Sequence, residues 1–366
     1  MAGLVAATHY SWKDGNLALF GSDEEKAVKK EKAEQEPAWA PVKSINSTTL
    51  MVWRVKNFQL EVVPPEDVGK FFSGDSYVVL KVEKVGNQLL YDVHFWMGKD
   101  STKDEYGTAA YKAVELDTFL DGNAVEHREV DGFESELFKS YFTELQKLSG
   151  GYASGFNKVK PEEFKPRLMV CHGMDRNHVE LTEVTFSKRS VNTEDVFILD
   201  LGNKAYQWNG QKATKDEKYR GNMFLQHVAT ERIGRCTTVV VDESDREGTI
   251  EFLSHLPDAP VQEDKPAPPP PFKKAVYKVS DASGKLETML VCEGSLPRNV
   301  LTPDDVFILD TGLSLFAYIG EKCTWNEKLN ALAYAHNYLK TTTHPLIPIT
   351  VISEKRPSKE LEKILE

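Results

Sequence analysis

Long hydrophobic runs are missing from this chain. No stretch approaches the roughly 18–20 apolar residues that cross a bilayer as a helix, so no membrane-spanning helix is expected. Cysteine is scarce: Cys171, Cys236, Cys292 and Cys323 are far apart, with no CxxC pair and no adjacent histidine cluster. That spacing argues against a structural zinc module and a disulfide framework, and it fits a reducing compartment. The first residues, MAGLVAATHYSWKDGN, have neither a basic stretch nor a sustained apolar core, so no secretory leader is expected. Positive charge is also in deficit, with 45 Lys and Arg against 56 Asp and Glu and a net charge of −11. A nucleic-acid partner would want a concentrated basic face, so none is expected. Catalytic signatures of the GxSxG, HExxH and GxGxxG types are absent. GKDST at Gly98 resembles only the tail of a phosphate loop. His94 and His127 sit in strand or turn contexts and read as satisfied structural histidines. No enzyme is expected.

What the chain does have is internal repetition. EDVFILD at Glu194–Asp200 returns as DDVFILD at Asp304–Asp310, with the second acid of each 110 residues from its counterpart. The following segments, LGNKAYQWNGQKATKDEK and TGLSLFAYIGEKCTWNEK, match as well. A more diverged copy lies upstream, where GDSYVVLKV from Gly74 precedes LLYDVHFWMGKDSTKDEYG. Each copy runs acid, apolar strand, turn, aromatic strand ending in glycine, then a helix with an early glutamate. In YDVHFWM the residues Tyr91, Val93, Phe95 and Met97 share one face at period two, as in a half-buried strand. FILDLG and AYQWNG read as neighbouring strands closed by glycine. Leu329, Leu332, His336 and Leu339 recur at helical spacing. TTVVVDES and LIPITVIS supply a strand after the helix. Each unit is therefore α/β, a mixed sheet with a long helix packed on it.

Composition shifts place the borders. Residues 1–45 form a charged extension, expected to be helical or disordered, around EEKAVKKEKAEQE. The first repeat takes 46–160, the second 161–260 and the third 273–366. A proline-rich linker at 261–272, with five prolines between Pro266 and Pro271, would form an extended spacer.

In every copy an acid just before the central strand is matched by a glutamate early in the next helix: Asp75 with Glu105, Asp195 with Glu217, Asp305 with Glu327. The last two pairs share a spacing of 22 residues. Calcium prefers six to eight oxygens, drawn from carboxylates and carbonyls, so such pairs could contribute to calcium sites. Repetition could equally preserve a helix cap or an ion pair. No EF-hand loop is present, so any calcium site would be assembled from separated segments.

FFSGDSYVVLKV, YDVHFWMGKDSTKDEYGTAAYKAVELDTFLDGNAVEHREVDGFES and GGYASGF resemble the gelsolin family, in particular its three-repeat, filament-severing members, over about residues 45–366. The resemblance implies three repeats, each a central mixed sheet between a long and a short helix. It implies Ca2+ held in the first repeat by Asp75, Glu105 and the carbonyls of Gly74 and Tyr152. In the second the ligands would be Asp195, Glu217 and the Glu194 carbonyl. In the third they would be Asp305, Glu327 and the Asp304 carbonyl. A further calcium shared with actin would use Asp117 and the carbonyls of Gly122 and Ala124. The helix from Lys103 to Phe119, with Tyr106, Ala109, Ala110, Ala113 and Val114, would enter the cleft between actin subdomains.

The function implied is calcium-activated severing of actin filaments with barbed-end capping by a monomer in the cytoplasm. A capping protein that does not sever and a filament side-binder are the alternatives. Val196 and Asn209 stand where many relatives have a disulfide. Phosphoinositide binding is only weakly supported, because the corresponding clusters hold Lys147, Arg167 and Arg176 and few other cations, with Lys158, Lys160 and Lys165 nearby. The chain ends in KELEKILE, so no villin-type headpiece is expected.

Overall fold

A run of consecutive apolar residues in a strand, such as VFIL in VFILD, is stable only where both faces are covered. The computed structural model, which describes residues 30–151, 165–175, 178–232, 236–261, 272–280, 287–323, 325–353 and 358–365, covers both copies in this way. In the first repeat the elements are β1 (Thr49–Lys56), β2 (Gln59–Val62), β3 (Lys70–Phe72), β4 (Ser76–Val85), β5 (Gln88–Met97), α1 (Lys103–Phe119), β6 (Ala124–Val130), α2 (Glu136–Ser140) and β7 (Glu144–Leu148). The second has β8 (Arg167–Asp175), β9 (His178–Val184), β10 (Val196–Asp200), β11 (Lys204–Asn209), α3 (Lys215–Glu231), β12 (Thr237–Asp242) and α4 (Arg246–Ser254). The third has β13 (Ala275–Ser280), β14 (Glu287–Glu293), β15 (Val306–Asp310), β16 (Leu315–Ile319), α5 (Trp325–Leu339), β17 (Ile349–Ser353) and α6 (Lys359–Ile364).

Alternation along the central strands separates two cores per repeat. Val196 and Ile198 enter the layer under α3, whereas Phe197 and Leu199 join Phe252 of α4 on the other face. Val306 and Ile308 divide from Phe307 and Leu309 in the same way. Val93 and Phe95 pack with Ala109 and Ala113 of α1, while Trp96 packs with Phe138 of α2. The expectation of a half-buried β5 is corrected here: Tyr91, Val93, Phe95 and Met97 do share a face, but the strand end opposite them is buried too. Each long helix returns the chain to a parallel partner, so β5 pairs with β6, β11 with β12 and β16 with β17.

The repeats are not separate beads. Ten strands form one sheet in the order β14-β13-β15-β16-β17-β6-β5-β4-β1-β2, which joins the third repeat to the first. The join is an antiparallel pairing of β17 with β6, matching Ile349 to Arg128, Thr350 to His127 and Val351 to Glu126. The second sheet, β12-β11-β10-β8-β9-β7-β3, adds two strands of the first repeat to the second. His127 bonds Thr350 Oγ1 at 3.2 Å across the seam and Asp92 Oδ1 at 3.1 Å. Its ring stacks on that of His94 at 4.1 Å, and His94 in turn bonds Glu129 and Tyr141. Both histidines are satisfied structural groups.

The charged extension is not wholly separate either. Residues 30–35 are helical, and Pro37–Ser44 continues as a 3-10 helix whose Ala38, Trp39 and Val42 enter the core beneath α1. Trp39 meets Trp53 of β1 edge to face at 5.1 Å. The proline-rich stretch from Pro266 to Pro271 lies outside the described residues.

Candidate cation sites and partner-binding helix

One glycine contact recurs in all three repeats and builds the site. The amide of Gly98 donates to the carbonyl of Asp75 at 3.0 Å, that of Gly210 to Asp195 at 3.0 Å, and that of Gly320 to Asp305 at 3.1 Å. A Cβ at these glycines would lie 2.2, 2.4 and 2.3 Å from the carbonyls of Ser73, Thr193 and Pro303, so no other residue fits. This close crossing holds the end of the aromatic strand against the acid. The chain then enters the long helix within a few residues. Gly98 in GKDST is thus a packing residue, while Thr102 caps α1.

The helix glutamates have two jobs available. Glu105 closes a capping box with Thr102, its Oε2 accepting from the Thr102 amide at 3.0 Å. Glu217 does the same with Thr214 at 2.8 Å. A capping carboxylate uses one oxygen for the backbone, and its second oxygen is oriented by that bond. Asp75, Glu217 and Glu327 are all buried. In the second repeat Asp195 and Glu217 converge, together with His172, so that one ligand atom from each lies within 4.8 Å of the others. In the first, a Cβ on Gly151 would be 3.2 Å from Asp75 Oδ1, which places the backbone next to Tyr152 beside the acid. Tyr152 itself lies outside the described residues.

Sequence reading overlooked the basic side chains that meet these acids. Arg54 Nη1 is 3.8 Å from Asp75 Oδ2, and Lys278 Nζ is 2.7 Å from Asp305 Oδ2. The two are equivalent by register, since Arg54 opposes Tyr77 and Lys278 opposes Phe307. Val170 holds that register position in the second repeat, opposite Phe197, and His172 bonds Asp195 Oδ1 at 3.1 Å instead. The signal was present as Arg54 in WRVK, His172 in VCHG and Lys278 in VYKV, but only folding shows what each faces. Arg54 and Lys278 offset the charge of their aspartates and would compete with a cation bound there. Carboxylate oxygens beside backbone carbonyls are donors that fit a hard divalent ion. Replacing Lys278 with methionine is expected to strengthen calcium binding in the third repeat about three- to tenfold, in line with a half-exposed ion pair. Calorimetric titration of the full chain would read it, and an unchanged isotherm would show that Lys278 does not compete.

The site on the loop after α1 is ordered by Asp117, whose Oδ1 accepts from the Ala124 amide at 2.8 Å and whose carbonyl accepts from Gly122 at 2.9 Å. Gly122 (φ 71°) and Asp121 (φ 61°) take left-handed conformations there. Lys30 of the extension pairs with Asp121, and Lys112 of α1 pairs with Glu36. Along α1 the expected contact residues divide between a buried face and an outer one. Ala109 and Ala113 are fully buried against the sheet, because alanine lets the helix approach β5 closely. Lys103 and Tyr111 are exposed; Tyr106, Ala110, Val114 and Phe119 are half-buried.

The basic residues considered for phosphoinositides are largely engaged elsewhere. Lys147 is ringed by Glu180 at 2.5 Å, Glu134 at 3.4 Å and Asp131 at 4.0 Å, and Arg167 pairs with Asp200 at 3.2 Å. Lys165 is exposed, whereas Lys158, Lys160 and Arg176 lie outside the described residues. Val196 and Asn209 are direct partners across β10 and β11, so a disulfide position is replaced by a neutral pair. A second group the sequence reading overlooked is the fully buried acid ending each FILD: Asp200 binds Arg232 at 2.7 Å, and Asp310 binds Tyr338 and His344 at 2.9 Å.

A family model described as the gelsolin repeat matches residues 57–139, 177–248 and 293–359. Among curated proteins, "Severin" from Echinococcus granulosus is 51% identical, covering 100% of this chain and 99% of its own length. "Gelsolin-like protein 2" from Lumbricus terrestris is 44% identical over 95% of each chain. "Gelsolin-like protein 1" from the same worm is 44% identical over 96% of each.

Proposed function

Because the chain belongs to the gelsolin-repeat family, we propose that it severs actin filaments and caps their barbed ends under calcium control, by binding rather than catalysis. The observation that carries this reading is the threefold glycine clamp, which sets a strand-start aspartate beside the entry to a long helix in every repeat. Asp75 and Glu105 with the Gly74 and Tyr152 carbonyls would hold the first ion. Asp195 and Glu217 with Glu194, and Asp305 and Glu327 with Asp304, would hold the others. Asp117, Gly122 and Ala124 would hold one shared with actin. Bound there, calcium would supply the positive charge that Arg54 and Lys278 otherwise provide at Asp75 and Asp305.

The shared sheet supports a role as the latch. While β6 and β17 are paired, the first and third repeats move as one body, whereas wedging between actin subunits needs the first repeat to act alone. A ligand shifts such a balance only by its difference in affinity for the two arrangements. The contacts of α1 with actin would come from Lys103, Tyr106, Ala110, Val114 and Phe119, and Tyr111 joins them by its exposure. Linking three repeats on one chain raises their effective concentration on a filament. The repeat borders 46–160, 161–260 and 273–366, and a place in the cytoplasm with the cytoskeleton, belong to the same proposal.

Single-filament fluorescence imaging tests it. Breaks along filaments in calcium, and none in chelator, are expected at nanomolar protein. Arrested barbed-end growth without breaks would leave a capping protein and remove severing. No effect in either buffer would overturn both.

A further inference from the structure

The second repeat differs from the other two in the chemistry of its resident base. An arginine and a lysine can only neutralise the aspartate, because neither offers a lone pair at neutral pH. His172 can also ligate. Its Nδ1 lies 3.1 Å from Asp195 Oδ1 and 3.9 Å from Glu217 Oε1. The second oxygen of each carboxylate is held by a neighbour, Asp195 Oδ2 by Asn192 Nδ2 at 2.8 Å and Glu217 Oε2 by the Thr214 amide at 2.8 Å. The oxygens nearest the imidazole are thereby oriented by outer hydrogen bonds, as in metal centres generally. Ligand bonds of about 2.1 Å in a tetrahedral zinc site place the donor atoms roughly 3.4 Å apart. The separations from the imidazole, 3.1 and 3.9 Å, bracket that distance, and all three donor atoms lie within 4.8 Å of one another. Glu217 is buried, while the His172 side chain is 65% exposed, which leaves solvent access for a fourth ligand.

We propose that His172, Asp195 and Glu217 form a zinc site, so that the second repeat accepts a borderline divalent cation in competition with calcium. Calcium takes oxygen donors, and the imidazole adds nothing to its binding; imidazole with carboxylates suits zinc. Among the described residues, the acids of the first and third repeats have Arg54 and Lys278 beside them and no such donor. This inference rests on the reading of Asp195 and Glu217 as cation ligands.

The test is calorimetric titration of the full chain with zinc chloride, with and without saturating calcium, for the wild type, His172→Ala and Glu217→Gln. Cobalt(II) absorption serves as a second readout of nitrogen ligation. Glutamine keeps the helix cap, and His172 is at the surface, so both variants should fold. Loss of at least about tenfold in the affinity of one zinc site in His172→Ala, together with loss of its cobalt spectrum and weakening of that site by calcium in the wild type, is expected. Equal zinc affinity in wild type and His172→Ala would overturn the proposal, even if Glu217→Gln lowers calcium binding and so leaves the calcium reading intact. Calcium and zinc isotherms both unchanged in Glu217→Gln would overturn the proposal and the calcium reading of this repeat together.

Discussion

Replacing Arg128 with alanine is expected to lower the calcium needed for half-maximal severing by at least tenfold. Arg128 lies at the β6–β17 seam with its guanidinium buried. Nη2 donates to the carbonyls of Pro345 and Ile347, both at 2.8 Å, and Nη1 donates to His336 Nδ1 at 2.8 Å. Burial, then the neighbouring charges of Arg128 and Lys340, push His336 down to about 4. The ring is therefore neutral near pH 7 and accepts the bond. Three register pairs of backbone hold the seam, so one arginine spanning it has unusual leverage. Hydrogen bonds to a charged group contribute roughly 1.5–3 kcal/mol each, and a net loss of about 2–4 kcal/mol is a reasonable sum after resolvation. Every 1.4 kcal/mol changes the balance of paired and parted repeats about tenfold. The calcium requirement can fall by no more than that balance changes. Imaging across a series of calcium buffers would measure it, with a thermal melt to verify that the variant is folded. A midpoint within twofold of the wild type would show that this seam is not the latch.

Truncating Trp39 to alanine is expected to destabilise the first repeat by about 3–5 kcal/mol, the usual cost of removing a large aromatic from a core. Trp39 has no exposed surface, packs edge to face on Trp53 at 5.1 Å, and belongs to the same cluster as Ala109, Ala113 and Leu116 of α1. The loss falls on the segment that supports the proposed actin-binding helix, so hydrogen exchange of α1 is the sharpest probe. Protection there should drop by a factor of a hundred or more, consistent with that free energy. Trp39→Phe should lose much less. If alanine changes exchange by less than about tenfold, residues 30–44 are an accessory and the repeat is complete without them.

The sequence by itself determined the repeat, the order of elements within it and the acids that face the helix. These follow from local rules: period-two and helical apolar spacing, glycine at a crossing too close for a Cβ, and Thr–x–x–Glu at a helix start. Asp195 with Glu217 and Asp305 with Glu327 stood out in the sequence because the same acid and glutamate recur 22 residues apart, and the fold brings Asp195 and Glu217 together. Tertiary structure decided what each repeat does with its neighbours. A free strand edge offers the same backbone groups whatever its side chains, so nothing in LIPITVIS or AVEHREV announces that β17 pairs with β6. The residues on α1 were half legible for a related reason: alanine suits both a buried face and a docking face, and only the packed sheet assigns Ala109 and Ala113 inward. Arg54, His172 and Lys278 were plain letters until register brought them to the acids. Coulombic partners across a sheet are set by three-dimensional distance, and a one-residue slip in pairing would have turned each of them to the opposite face.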